Sequence, residues 1–159
     1  MNIVEELQKT QLFSSIPEAL LQRLAPWFYV RRTAAGDVLI SEGESSQEIF
    51  VIVSGTVVVA KALGETTEAF VARLEAGMHL GEIDMIDDQS ASATATMETA
   101  GVVLHLDIVR FRRILVEDRP LFVHVSRALF IDLANKVRQI NDKVRETIEW
   151  GMESAGEKR

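Results

Sequence analysis

Apolar and polar positions follow three rhythms along this chain. Between residues 2 and 11, Ile3, Val4 and Leu7 share one helical face. The run Leu12-Phe13-Ser14-Ser15-Ile16-Pro17-Glu18 predicts a second helix start, with Ser15 as the cap and Glu18 reaching back to it. Pro17 sits in the first turn, where a missing N–H removes no helical bond. That helix carries Leu20, Leu21 and Leu24 and stops near Pro26. From Phe28 to Asp107 the texture changes to short β-prone runs at 29–33, 38–40, 49–53, 56–60, 69–74 and 102–106, punctuated by glycines. The stretches 49–53 and 57–59 are almost wholly apolar, which predicts strands covered on both faces. Helical spacing returns with Ile108, Phe111, Ile114 and Leu115, capped by Asp107 and stopped by Pro120. A final helix is expected from Pro120 to Trp150, ended by Gly151. About 30 residues of helix span about 45 Å, more than a small barrel can cover. The polar tail from Met152 to Arg159 is expected to fray.

This order predicts a mainly β domain with flanking helices: a double-stranded β-helix or jelly roll with a long C-terminal helix. The expected segments are N-terminal helices over 1–27, a β-roll over 28–107, C-terminal helices over 108–150 and a tail over 151–159. A chain of 159 residues suits one domain, and 47% hydrophobic against 26% charged residues is a globular composition. No apolar run approaches the ~20 residues that cross a bilayer, and no basic-then-apolar leader opens the sequence, so a cytoplasmic protein without membrane partners is expected. With no cysteine there is no disulfide, thiol nucleophile or thiolate-ligated metal.

Net charge is −7, with 24 acids against 17 bases, and nucleic-acid binding needs a concentrated basic surface. The densest basic group, Arg110, Arg112 and Arg113, falls on the polar side of an amphipathic helix and reads as a solvated face.

Candidate chemistry concentrates in Gly77-Met78-His79-Leu80-Gly81-Glu82-Ile83-Asp84-Met85-Ile86 and Ser90-Ala91-Ser92-Ala93-Thr94. The first stretch resembles the phosphate-binding cassette of the cyclic-nucleotide-binding domain family. Other residues extend the resemblance: Leu12-Phe13 before Leu20-Leu21-Leu24, Gly36-Asp37-Val38-Leu39-Ile40 before Glu42-Gly43, and Ile49-Phe50-Val51-Ile52-Val53-Ser54-Gly55. It covers roughly residues 12–135 in the right order. The resemblance implies that Gly81 and nearby amides approach a phosphate and that Glu82 accepts from a ribose hydroxyl. Ala91 stands where the family has the arginine that neutralises the phosphate, and Ser90 or Ser92 offers no base in a neighbouring register. Between Leu74 and Val109 there is no Lys or Arg, while Glu75, Glu82, Asp84, Asp87, Asp88, Glu98 and Asp107 add negative charge. A pocket of Gly81, Glu82, Ile83, Asp84, Ser90, Ala91, Ser92 and Thr94 is therefore expected not to take cAMP or cGMP in the usual way.

Other readings of these residues carry less. Ser90, Ser92 and Thr94 fit strand and turn hydroxyls better than contacts to an uncharged ligand. Asp84, Asp87 and Asp88 lack the spacing of a calcium loop. A cupin-type metalloenzyme would need clustered histidines, and His79 with Glu82 supplies only a fragment while His105 and His124 lie elsewhere. With no nucleophile triad or phosphate loop, no enzyme, no cofactor and no metal is expected.

In the last helix Phe130, Leu133, Val137, Ile140 and Val144 repeat at heptad spacing between charged residues, which predicts a two-stranded seam. The alternative is a helix packed on its own roll. Trp150 is expected at an exposed helix end, and with only a few residues beyond it no DNA-reading module is expected. The reading is a stand-alone regulatory or interaction domain, homodimeric through this helix, with an unidentified protein partner and no nucleic acid. A small-molecule sensor using the same pocket is the alternative.

Overall fold

A computed structural model describes residues 1–45, 48–64, 67–83 and 89–156, with side chains as far as Trp150. Two four-stranded antiparallel sheets form the roll. The strands are β1 (Tyr29–Thr33), β2 (Val38–Ile40), β3 (Glu48–Ser54), β4 (Val57–Ala62), β5 (Glu68–Leu74), β6 (His79–Leu80), β7 (Thr94–Met97) and β8 (Gly101–Asp107). One sheet runs β1-β8-β3-β6 and the other β2-β7-β4-β5. The β6 and β7 strands were not among the expected runs; both are short, and Thr94-Ala95-Thr96-Met97 has no apolar run to mark it.

The apolar β3 strand explains the layering. Its side chains alternate between faces: Ile49 and Val51 join a cluster with the helices, whereas Phe50 and Ile52 point into the roll. Strand β8 divides likewise, with Leu104 and Leu106 facing the helices and Val103 facing inward. Strands β3 and β8 thus lie between two apolar layers, as the sequence predicted for residues 49–53, whereas in β4 Val57 is buried and Val58 and Val59 are only half-buried.

The N-terminal helices are α1 (Ile3–Gln8) and α2 (Glu18–Leu24), followed by a 3-10 turn at Ala25–Trp27. Ser15 is not the cap of α2. Pro17 takes the N-cap position, where the side chain makes no capping hydrogen bond. Thr10 organises this corner instead: its hydroxyl donates to Leu7 O at 2.7 Å and accepts from Phe13 N at 3.1 Å.

After the roll come α3 (Ile108–Glu117) and α4 (Arg119–Gly156). Asp107 caps α3 as expected, accepting from Arg110 N at 2.8 Å. Gly151 does not end α4, which continues to Gly156. A single glycine inside a helix costs only about 1 kcal/mol, less than a true terminator such as proline. Leu121, Val125, Ala128 and Leu129 bury the start of α4, and from Val137 to Trp150 every residue is exposed. No described helix is long and apolar enough to cross a membrane.

Candidate functional site

Gly81 follows β6 with φ +87°, a left-handed conformation that glycine adopts without strain. A Cβ at this position would lie 2.3 Å from the Glu48 carbonyl oxygen. The close backbone approach alone requires glycine here. The turn then carries Glu82 inward, 3% exposed, and leaves Ile83 exposed. Asp84 lies outside the described residues.

Ala91 is 6% exposed and joins Ile40, Phe50, Leu80 and Val103 in the roll's inner cluster. Its backbone is committed to the segment after β2: its N–H donates to Glu44 O and its carbonyl accepts from Gly43 N, both at 2.9 Å. Thr94 Oγ1 accepts from Glu42 N at 3.0 Å, while Ser90 and Ser92 are exposed. The serines and threonine therefore do not converge with Glu82 as one set of hydroxyls. Thr94 has a structural bond, as expected for a strand hydroxyl.

The main correction concerns charge. The segment around the cassette has no Lys or Arg in sequence, yet Lys136 of α4 reaches it across 54 residues. Its ammonium donates to Glu82 Oε1 and, at 2.8 Å, to Asp132 Oδ2 one turn earlier on the helix. His79 turns Nε2 towards the same Asp132 oxygen at 3.2 Å and lies 3.9 Å from Glu82 Oε2. Lys136 Nζ is 3.5 Å from this imidazole nitrogen. Burial pushes the Asp132 carboxyl up, but hydrogen bonds from His79 and Lys136 outweigh it and hold the group at about 2. Burial also works against the charge on Lys136, and the attraction of Glu82 with the Asp132 hydrogen bond raises it above its ordinary value.

His79, Glu82 and Asp132 are also a possible metal-ligand set: all are buried, with one donor atom each within 4.8 Å of the others. The spacing suits a first-row metal, whose bonds to such ligands are about 2.0–2.2 Å. The ammonium of Lys136 already takes that space, so the group fits an internal ion-pair network better. The other histidines stay apart. His105 stacks on Phe50 and places Nδ1 2.8 Å from Glu48 Oε1. His124 is half-buried on α4.

Neither Asp132 nor Lys136 stood out in sequence, although a signal was present. Positions 121, 125, 128, 132 and 136 continue one helical stripe, so a charged pair at its end had to be buried or paired. The seam residues occupy a face rotated from that stripe by roughly a third of a turn. Phe130, Val137, Ile140 and Val144 are exposed and Leu133 is half-buried. Arg113 pairs with Glu117 at 3.0 Å, and Arg110 lies over the Tyr29 ring and donates to its hydroxyl.

A polar groove of about 500 Å³ separates residues 11–15 from α4 and includes Ser15, Asp132, Asn135 and Arg138. None of the described residues between 81 and 94 lines it.

The profile of the family described as "Cyclic nucleotide-binding domain" matches residues 30–118, more than half the chain. The cAMP-dependent protein kinase type II regulatory subunit of Drosophila melanogaster is 24% identical over 135 residues, covering 85% of this chain and 33% of its own length. The cAMP-activated global transcriptional regulator CRP of Haemophilus influenzae is 23% identical over 139 residues, covering 83% and 62%. The chain thus spans at most about three fifths of these two relatives. A cyclic nucleotide-binding domain from Methylobacillus flagellatus superposes with TM-score 0.78 at 23% identity, covering 89% of this chain and 79% of that one.

Proposed function

Since this chain belongs to the cyclic nucleotide-binding domain family, we propose that it is a non-enzymatic regulatory module that does not hold cAMP or cGMP by the usual phosphate contact. One observation carries the reading: Ala91, which the sequence resemblance aligns with the family's arginine, is buried as a methyl in the inner cluster. A charge-assisted contact to phosphate contributes about 1.5–3 kcal/mol, and losing it alone weakens binding at least about tenfold. The commitment of Glu82 to Lys136 supports the same reading.

Titration calorimetry with cAMP and with cGMP is expected to give no saturable heat at micromolar ligand and moderate salt. A one-to-one isotherm there overturns the proposal. Ala91→Arg is expected to raise the affinity if the variant keeps the wild-type near-UV circular dichroism.

The module is further proposed to be a homodimer paired through Phe130, Leu133, Val137, Ile140 and Val144. The 51% to 72% exposure of Phe130, Val137, Ile140 and Val144 supports this, because such a stripe is poorly solvated on a lone helix. A fixed dimer of this kind would offer its surface to a protein partner.

A further inference from the structure

Beyond its buried apolar turns, α4 is tied to the roll by polar contacts. Leu121, Val125, Ala128 and Leu129 bury its first turns, Asp132 and Lys136 then pair with the roll, and beyond them all side chains to Trp150 are exposed. What those two residues grip is the turn 79–82, through His79 and Glu82.

We propose that Lys136 is a self-supplied clamp that occupies the cassette turn and fixes the helix against it, so that any ligand reaching Glu82 must first displace the helix. This deepens the function proposed above, since it rests on the 81–83 turn being the ligand-facing part of the roll. An ammonium has three N–H donors and no acceptor. Two of them are directed at the carboxylates of Glu82 and Asp132, and the His79 nitrogen lies 3.5 Å away. The carboxylates belong to different elements, so one cation joins turn and helix.

Withdrawing Lys136 leaves the buried carboxylates of Glu82 and Asp132 without their shared cation, and like charges in a desolvated site repel strongly. The clamp is therefore closed as a unit or open as a unit. Its opening frees the first exposed turn of α4, and with it the direction in which residues 137–150 project. Lys136 is 37% exposed along its side chain, so its ammonium has a path out to solvent.

Hydrogen exchange of the whole, nucleotide-free chain at neutral pH tests the clamp. Lys136→Met is expected to speed exchange on the order of tenfold in both 79–83 and 128–136, while 48–54 and 101–107 keep wild-type rates, because local opening leaves the core closed. Lys136→Arg, which keeps the charge, is expected to restore slow exchange. Should Lys136→Met fold poorly, Glu82→Gln with Lys136→Met removes both charges and is expected to open the same two segments. Acceleration confined to the helix, none at all, or an equal rise everywhere overturns the clamp. So does a stoichiometric d–d absorption band when Co²⁺ is added to the wild type, because the cradle would then accept a metal in place of the lysine. None of these readouts involves a nucleotide, so they stand or fall separately from the calorimetry.

Discussion

In the first half of α4, Leu121 and Val125 are buried against the body, whereas from Val137 onward the equally apolar Ile140, Val144 and Ile148 are more than half exposed. Both halves present a stripe at helical spacing, on faces rotated relative to one another. The first stripe meets a surface from the same chain and is held at any concentration. The second meets nothing described within the chain, so its burial would depend on a second molecule. Periodicity reports that a face needs covering. It does not report what covers it.

Three measurements can break or sharpen this contrast. The largest expected effect is in the docked half: Leu121→Ala removes a side chain with 0% exposure and is expected to lower stability by about 2–5 kcal/mol in urea unfolding. A loss as small as that of a surface substitution would mean that the docking contributes little.

An intermediate effect is expected with acid. The Asp132 carboxyl is depressed from 3.8 to about 2, so its contribution is present above 3.8 and is lost as pH falls towards about 2. Lys136 is raised above 10.5, so its contribution is present below that pH and lost as pH rises through its elevated value. Exchange protection over 128–136 should therefore hold between these limits and decline first at the acid end. Asp132→Asn is expected to flatten the acid limb, and an unchanged limb would assign it to other carboxylates.

The smallest effect on the fold is expected in the projecting half. Val137→Asp with Ile140→Asp should leave the unfolding of the roll within about 0.5 kcal/mol of wild type, yet halve the mass seen by light scattering at tens of micromolar. A wild-type monomer at that concentration would end the homodimer proposal.

Much of the fold was legible because its signals are local. The five residues of β1, the three of β2 and the Asp107 cap coincide with the expected runs. The apolar run in β3 is explained by its two covered faces. What escaped depends on packing. Ser15 had the composition of a capping box, but the chain turns at Thr10 instead and Pro17 starts the helix. The stretch from Leu74 to Val109 plainly carries no Lys or Arg. The arrival of Lys136 was not plain, because a cation 54 residues away becomes a neighbour only once α4 has docked.

The Glu48 carbonyl beneath Gly81 bears on how such chains are sorted. A pattern search that scores a glycine there rewards a backbone that has no room for a side chain, whether or not anything is bound above it. Descendants that abandoned the ancestral ligand would keep that letter for steric reasons and continue to score as binders. A classifier meant to separate members that hold a nucleotide from members that do not gains little from residue 81 and has to find its weight at other positions.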